Sequence, residues 1–255
     1  MTDYLLKARD LQKSFGHVHV LRGVDFDVKQ NEVTALVGDN GAGKSTTVKI
    51  LAGVLRADSG SIQLDGSDVD FSNPERAMRA GIETVYQDLA LAPDLSAYAN
   101  MYLGREIKRR GLLGAFGFLD RKRMQAETMA SFQRLGTTVK DVTARVSSLS
   151  GGQRQAVAVA RAAAWAKTLV FMDEPTAALG VVQTEQVLKL IESVRADGKS
   201  VVLISHNLPD VFRVADRIQV LRLGQRVANF ATADVTMDDV VAAMTGAKIF
   251  EGGTE

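Results

Sequence analysis

Hydrophobic positions along the chain follow two different rhythms. Residues 4–15 (YLLKARDLQKSF), 17–28 (HVHVLRGVDFDV) and 61–66 (SIQLDG) alternate apolar and polar side chains, with Gly and Asp between the runs. A period of two predicts half-buried strands joined by turns, hence an antiparallel N-terminal part. Other segments lack a polar face. NEVTALVG (31–38) holds a compact, largely apolar run from Val33 to Val37 that stops at Gly38, and GIETVYQ (81–87), TLVFMDE (168–174) and SVVLISH (200–206) each end in a polar residue. Strands of that kind are covered on both sides, as in a parallel sheet. Helical patterning separates them: STTVKILAGVL (45–55) sets Val48, Leu51 and Leu55 on one face, and further helices are predicted around 120–135, 151–166 and 183–196. The alternation predicts an α/β fold with a mixed, mainly parallel, doubly wound sheet and an antiparallel N-terminal β part. Residues from about 90 to 150 interrupt it with helical periodicity, the charge runs REIKRR and DRKRM, and no strand pattern. They are expected to form an inserted helical subdomain.

Composition narrows the possibilities. The 255 residues are 46% hydrophobic and 24% charged, as in an ordinary globular protein, and 31 basic against 30 acidic residues leave a net charge of +1. No bulk field therefore draws the chain to nucleic acid or anionic lipid. The absence of cysteine excludes disulfides and thiolate metal sites. His17, His19 and His206 do not form a metal cluster, and His17 and His19 are expected to alternate along one strand. The start, MTDYLLKARD, has no apolar signal core. The apolar patch GLLGAFGFL (111–119) falls short of the roughly 18 residues needed to cross a bilayer. A membrane connection is thus expected to run through a partner.

Candidate chemistry begins at GDNGAGKST, residues 38–46, which matches G-x-x-x-x-G-K-[ST] with Gly38, Gly43, Lys44 and Ser45 between a predicted strand and a predicted helix. In such a P-loop the N–H groups of Asn40, Gly41, Ala42 and Gly43 turn inward around a polyphosphate, and the helix N-terminus adds its positive dipole end. Lys44 would reach the β- and γ-phosphates, Ser45 would bind Mg²⁺, and Thr46 would hydrogen-bond the α-phosphate. TLVFMDEP delivers Asp173 and Glu174 to a C-terminal strand end, where open α/β sheets place ligands. Asp173 is the candidate to hold Mg²⁺ through water, and Glu174 to orient and deprotonate an attacking water. Gln87 and His206 follow apolar strands at the same edge, Gln87 for the metal or the lytic water and His206 for the γ-phosphate. Phe15, in KSFG, is either an adenine-stacking ring or a core residue.

SSLSGGQRQAVAVARA (147–162) carries a second signal. Ser150 and Gln153 fit an S-x-x-Q capping box, which needs no ligand. It does not explain Gly151 and Gly152, each of which lowers helix propensity by up to ~1 kcal/mol relative to alanine. Bare backbone at a helix start suggests close approach by an anion, and the P-loop already cradles this chain's own nucleotide. The second anion is therefore expected to belong to another molecule.

LSGGQ (149–153), together with GDNGAGKST, YQ (86–87), FMDEPT (171–176) and SH (205–206), resembles the ATP-binding subunit of ABC transporters over nearly the whole chain. The resemblance implies a P-loop NTPase fold, with one ATPase domain over 1–255: a core subdomain from 1–89 and 155–255, and a helical subdomain over 90–154 that docks on membrane-spanning permease subunits. It implies ATP and Mg²⁺ as cofactors and a head-to-tail dimer with two ATPs sandwiched between copies. Lys44, Ser45, Gln87, Asp173, Glu174 and His206 would act within one copy, Ser150, Gly152 and Gln153 would reach the γ-phosphate of the other, and Phe15 matches the adenine-stacking position. TVYQDLALAPDLSAYANMYLGRE and EPTAALG look like the ATPases of bacterial monosaccharide importers of the ribose, xylose and fructose type. That implies a peripheral subunit on the cytoplasmic face of the inner membrane, coupled indirectly to a periplasmic solute-binding protein. One departure is Gly180, where many relatives carry an aspartate that helps the two sites communicate. GLLGAFGF is left between a permease contact and local packing.

An importer for another small solute is the nearest alternative. A soluble ABC ATPase acting on DNA or ribosomes would be expected to carry coiled coils, zinc inserts or tandem domains, and neither heptads nor cysteines are present. No nucleic-acid partner is expected. A P-loop kinase or GTPase would leave LSGGQ unexplained.

Overall fold

In the computed structural model, residues 4–137 and 139–250 are described; Met1–Asp3 of the opening segment and residues 251–255 lie outside that range. The chain runs β1 (Tyr4–Phe15), β2 (Val18–Lys29), β3 (Val33–Val37), α1 (Lys44–Leu51), β4 (Ser59–Leu64), β5 (Ser67–Asp68), α2 (Pro74–Arg79), β6 (Ile82–Val85), α3 (Ala97–Met101), α4 (Leu112–Ala115) and α5 (Arg121–Leu135). It continues through α6 (Gly151–Trp165), β7 (Leu169–Asp173), α7 (Val181–Ala196), β8 (Ser200–Ile204), α8 (Leu208–Val214), β9 (Arg217–Arg222), β10 (Gln225–Ala231) and α9 (Met237–Thr245).

The strands sort into two sheets as their rhythms predict. The alternating segments form a four-stranded sheet in the order β2-β1-β4-β5, antiparallel throughout, while a six-stranded sheet has the order β10-β9-β3-β8-β7-β6. Its ladders from β9 to β6 are parallel, and only the β10 edge is antiparallel. Strands without a polar face bury both faces here. Val33, Ala35, Val37, Val170, Met172, Val201 and Leu203 join α6, α7 and α8 in one core. The intervening Leu36, Leu169, Phe171, Val202 and Ile204 join α1 and the antiparallel sheet in the other. The central sheet is thus covered by helices on one side and by α1 with a second sheet on the other.

Some expectations are corrected. His17 lies in the β1–β2 turn, and only His19 is in the strand, where its Nδ1 is 2.8 Å from Ser14 Oγ. The helix after the P-loop stops at Leu51, so Leu55 packs from the turn beyond it. The loop containing residues 111–119 is not locally packed: Leu112 and Phe116 are 80% and 79% exposed.

The two sheets are tied by a buried polar cluster. Asp27 on β2 pairs with Arg9 Nη1 at 2.6 Å and with Arg226 Nη1 on β10 at 2.7 Å. Gln219 on β9 donates to the Asp27 carbonyl and accepts from the Asp27 N–H at 3.3 Å. Asp27 and Arg226 are 3% and 7% exposed, so neither charge has water to fall back on. Removing one partner leaves a buried charge uncompensated, typically at 3–5 kcal/mol. Asp27→Ala should therefore lower unfolding free energy by about 3 kcal/mol or more in urea titration, and Asp27→Leu with Arg226→Met should recover most of it. A loss under about 1 kcal/mol for the single variant would show that the cluster does not staple the sheets.

Candidate functional site

The parallel ladder places the strand ends at one edge. Leu36 pairs with Ile204, Asp173 with Ile204, and Val85 with Met172, so β3, β6, β7 and β8 finish within about a residue of one another. The segments leaving these ends carry Gly38–Thr46, Gln87, Asp173–Glu174 and His206.

The P-loop is held by close backbone packing. Gly38 has φ 151°, and a Cβ there would collide with the carbonyl oxygen of Leu221. Gly43 has φ 105°, and its Cβ would sit 2.6 Å from Leu21 Cδ2. Gly41, by contrast, has nothing within 4 Å of its would-be Cβ and faces open space. The Ala42 carbonyl accepts from Gly224 N–H at 3.1 Å, which fastens the loop to the β9–β10 turn. Ala42 departs from its expected role: its N–H is committed to the Asp39 carbonyl at 3.1 Å in a tight turn. The N–H groups of Asn40, Gly41 and Gly43 donate to no group among the described residues. Gly43 caps α1 without a side-chain bond, so the helix start is bare; Ser45 is exposed and Thr46 half-buried. Lys44 Nζ donates to Gly38 O at 2.7 Å and Asp39 O at 3.0 Å, which leaves one of its three hydrogens for a further acceptor. Burial lowers the Lys44 pKa, opposed by the negative charges of Glu174, Asp39 and Asp173.

Across from it stand the acids. Burial raises the Asp173 pKa, with Glu174 adding to the rise and Lys49 and Lys44 opposing it. A carboxylate disfavoured in this way is relieved by a cation, and Ser45 and Asp173 offer the oxygen ligands that Mg²⁺ takes. The residues present thus fit both a polyphosphate and its divalent ion. Among the described residues there is no group of three or more His, Cys, Asp or Glu able to hold a metal without phosphate. Glu174 follows the strand at φ 49°, a left-handed conformation unusual for a side chain-bearing residue, with its N–H bonded to Ile204 O at 2.9 Å. Its Oε1 lies 2.8 Å from His206 Nδ1. His206 is raised on a turn in which buried Ser205 accepts from Asn207 N–H at 3.0 Å.

The capping box at Ser150 is present. Gln153 N–H donates to Ser150 Oγ at 3.3 Å, and Ser150 N–H donates to Gln153 Oε1 at 3.0 Å. Only acceptor atoms are used. The hydroxyl hydrogen and the Nε2 hydrogens remain, and these are the groups an anion needs. The two glycines differ. Gly151 meets only Leu179 Cδ2 at 3.6 Å, an ordinary contact, whereas a Cβ on Gly152 would be 2.8 Å from Gln183 Cγ. Gly152 is therefore required by this chain's own packing. Gly180 makes room for the same residue, since its Cβ would lie 2.8 Å from Gln183 Oε1. Gln183, in the first turn of α7, thus sits between the start of α6 and the loop that follows Glu174.

Phe15 is 47% exposed at the tip of the β1–β2 hairpin, so it is not a core residue. Gln87 is exposed in the turn after β6. Arg161 and Gln183 are positioning residues that the sequence patterns missed. Arg161 on α6 donates to Ala90 O at 2.7 Å and Leu89 O at 3.0 Å, which clamps the left-handed pair Leu89 (φ 62°) and Ala90 (φ 45°) just past Gln87. A lone arginine within the alanine-rich run AVAVARAAAW was the available signal. Gln183 had none, because its role arises from packing against Gly152, distant in sequence, and Gly180.

A P-loop facing a carboxylate pair and a histidine across a parallel sheet edge defines a P-loop ATPase. The model of the ABC transporter family matches residues 21–177. The chain is 51% identical to the fructose import ATP-binding protein FrcA of Rhizobium meliloti, over 96% of this chain and 95% of that one. It is 43% identical to the xylose/arabinose import ATP-binding protein XylG of Sulfolobus acidocaldarius, over 94% of each. With the ribose import ATP-binding protein RbsA of Chromobacterium violaceum it shares 42% over 94% of its length, but spans only 47% of that relative. The solved ADP conformation of an ATP-binding cassette of an ABC transporter superposes with TM-score 0.78 over 97% of both chains at 23% identity. This chain belongs to the ABC transporter family, as one of its ATP-binding cassettes, and ATP hydrolysis is the general activity of that family.

The Gly152–Gln183 contact can be measured. Gly152→Ala should destabilise by about 1–3 kcal/mol through overpacking, although alanine favours a helix. In a Gln183→Gly background the penalty should largely vanish, giving a coupling energy above about 1 kcal/mol in a double-mutant cycle. Additivity within about 0.5 kcal/mol would show that the two residues do not touch.

Proposed function

We propose that this chain is the ATP-hydrolysing subunit that energises a permease for import of a sugar, a monosaccharide being the best match. The Glu174–His206 pair, 2.8 Å apart and facing the P-loop lysine, carries the catalytic part of the proposal. The solute class is supported by relatives named for fructose, xylose/arabinose and ribose import.

In this reading the P-loop N–H groups and the bare α1 start bind the polyphosphate, and Lys44 meets the charge that develops on the transferred γ-phosphoryl group. Mg²⁺, when bound, would neutralise phosphate oxygens, with Ser45, Asp173 and Gln87 as the residues that hold it. Glu174 takes the proton of the attacking water. His206, whose Nδ1 lies 2.8 Å from Glu174 Oε1, fixes that carboxylate, and its Nε2 serves the γ-phosphate. Phe15, exposed at the hairpin tip, stacks on the adenine.

Ser150, Gly152 and Gln153 serve the nucleotide of a second copy in a head-to-tail dimer. Two observations support this: Ser150 and Gln153 keep spare donors after capping, and one related cassette of this fold is dimeric. Gly152 would contribute only backbone, since Gln183 fills the space beside it. The segment 90–154 acts as the helical subdomain that meets the permease, and the core subdomain comprises 1–89 and 155–255. Among the described residues no helix is long and apolar enough to cross a membrane, and a peripheral place on the cytoplasmic face of the inner membrane follows from the permease partnership. A periplasmic solute-binding protein would act only indirectly.

Glu174→Gln should reduce turnover by about 10²–10⁴-fold while ATP binding is retained and the ATP-bound dimer accumulates. Hydrolysis at the wild-type rate would remove Glu174 from the base role. Ser150→Arg should block hydrolysis without weakening ATP binding by the monomer, measured by equilibrium titration. Loss of binding in the monomer would place this loop at the chain's own nucleotide instead.

A further inference from the structure

Between α3 and α5 the chain builds a small knob with an unusual surface. Two backbone bonds close its neck, from Arg109 N–H to Phe118 O at 2.8 Å and from Asp120 N–H to Ile107 O at 2.7 Å. Inside, Ala115 N–H reaches Gly111 O at 3.2 Å, Phe116 N–H reaches Leu112 O at 3.1 Å and Phe118 N–H reaches Leu113 O at 3.0 Å. A side chain at Gly114 would collide with the carbonyl of Arg109, so the turn closes tightly on its own backbone. The apolar side chains consequently point outward: Leu112, Leu113, Phe116 and Phe118 are 80%, 48%, 79% and 56% exposed.

Charge around this tip is one-sided. Residues 105–123 carry seven basic and two acidic side chains, in a chain whose net charge is only +1. Lys108, Arg109, Arg110, Arg121 and Lys122 are exposed, and none makes an ion pair among the described residues. Both acids are engaged locally, Asp120 capping α5 through Arg123 N–H at 3.1 Å and Glu106 accepting Gly104 N–H at 3.0 Å.

We propose that this knob is an interfacial anchor that seats on an anionic lipid surface. Leu112, Leu113, Phe116 and Phe118 enter the boundary between headgroups and acyl chains, and the five unpaired cations face lipid phosphates. An apolar tip ringed by Lys and Arg is the pattern of segments that lie in the membrane interface. The N–H groups of residues 114–118 are all bonded within the turn, which lowers the cost of bringing this backbone toward an apolar phase. A protein groove would have to supply several acids at matching positions, whereas an anionic leaflet presents them at any rotation of the knob. Four side chains give reversible binding, enough to orient a subunit already held by a partner. The proposal does not depend on which solute is imported.

The test is cosedimentation of the full purified chain with vesicles of phosphatidylcholine alone or mixed equally with phosphatidylglycerol. The expected result is binding to the anionic vesicles only, weakened by raised salt. Leu112→Ser with Phe116→Ser should weaken it by about tenfold or more, and Arg109→Glu with Arg110→Glu likewise. Both variants should keep normal ATP binding, which reports that the cassette is folded. No binding to anionic vesicles at low salt, or binding unchanged in both variants, overturns the proposal. So does vesicle binding that survives Leu112→Ser with Phe116→Ser while permease-stimulated ATPase activity in the reconstituted complex is lost, since that assigns the knob to a protein.

Discussion

Everything in the site hangs on the register of one parallel ladder. The β3, β8, β7 and β6 strands finish together because Leu36 and Asp173 both pair with Ile204, and Met172 with Val85. A slip of one residue would reverse which side chains face each core. It would send Leu36, Phe171 and Val202 toward the helices and carry Asp173 off the edge. Burial on both faces therefore ties the alignment of the candidate site residues to the hydrophobic core. No separate device is needed to bring the P-loop, the acids and His206 together.

Alignment of strand ends fixes where side chains start, and a second layer of contacts fixes where they point. Helix α6 contributes at both ends. Its first turn packs against Gln183, and its Arg161 holds the carbonyls just beyond Gln87. Gln183 also lies against Gly180, in the loop that descends from Glu174. The start of α6, the loop after β6 and the loop after β7 thus share a rigid support. The glycine at position 180 is compatible with this packing because a larger residue there would press on the Gln183 amide. Space that an aspartate would fill is given to a glutamine from the next helix.

Most of this architecture was legible because burial writes a simple code. The strands β1, β3, β6, β7 and β8 fall within two or three residues of the segments marked by period-two or unbroken apolar patterns, and α5, α6 and α7 follow helical periodicity. Several candidate site residues were legible for a related reason: Gly38, Gln87, Glu174 and His206 sit one or two positions beyond a strand and Asp173 ends one, so pattern and chemistry were adjacent. What stayed hidden depends on contacts distant in sequence or on the geometry of single turns. The antiparallel β9–β10 edge was not anticipated, although it supplies the Leu221 and Gly224 backbone that holds the P-loop. His17 was assigned to a strand because alternation continues through a tight turn at Gly16, and the pattern has no term for φ at a single glycine. The Ala42 N–H, expected to face phosphate, is taken by a local turn that only coordinates reveal.

The glycines of LSGGQ illustrate how one sequence feature can have two causes. Their low helix propensity called for an explanation outside the helix, and an anion was one. Gln183 provides another for Gly152, within the chain, while Gly151 has no such neighbour closer than 3.6 Å. The weight of the second-copy reading therefore moves from the glycines to the capping box. A serine and a glutamine that cap each other through acceptor atoms present their remaining hydrogens outward at a helix N-terminus, where the dipole favours negative charge. The P-loop of the same chain has its own unused N–H groups and a lysine with one free hydrogen. Two donor-rich surfaces on one chain, with the carboxylates on only one of them, are what the proposed sharing of a phosphate between two copies requires.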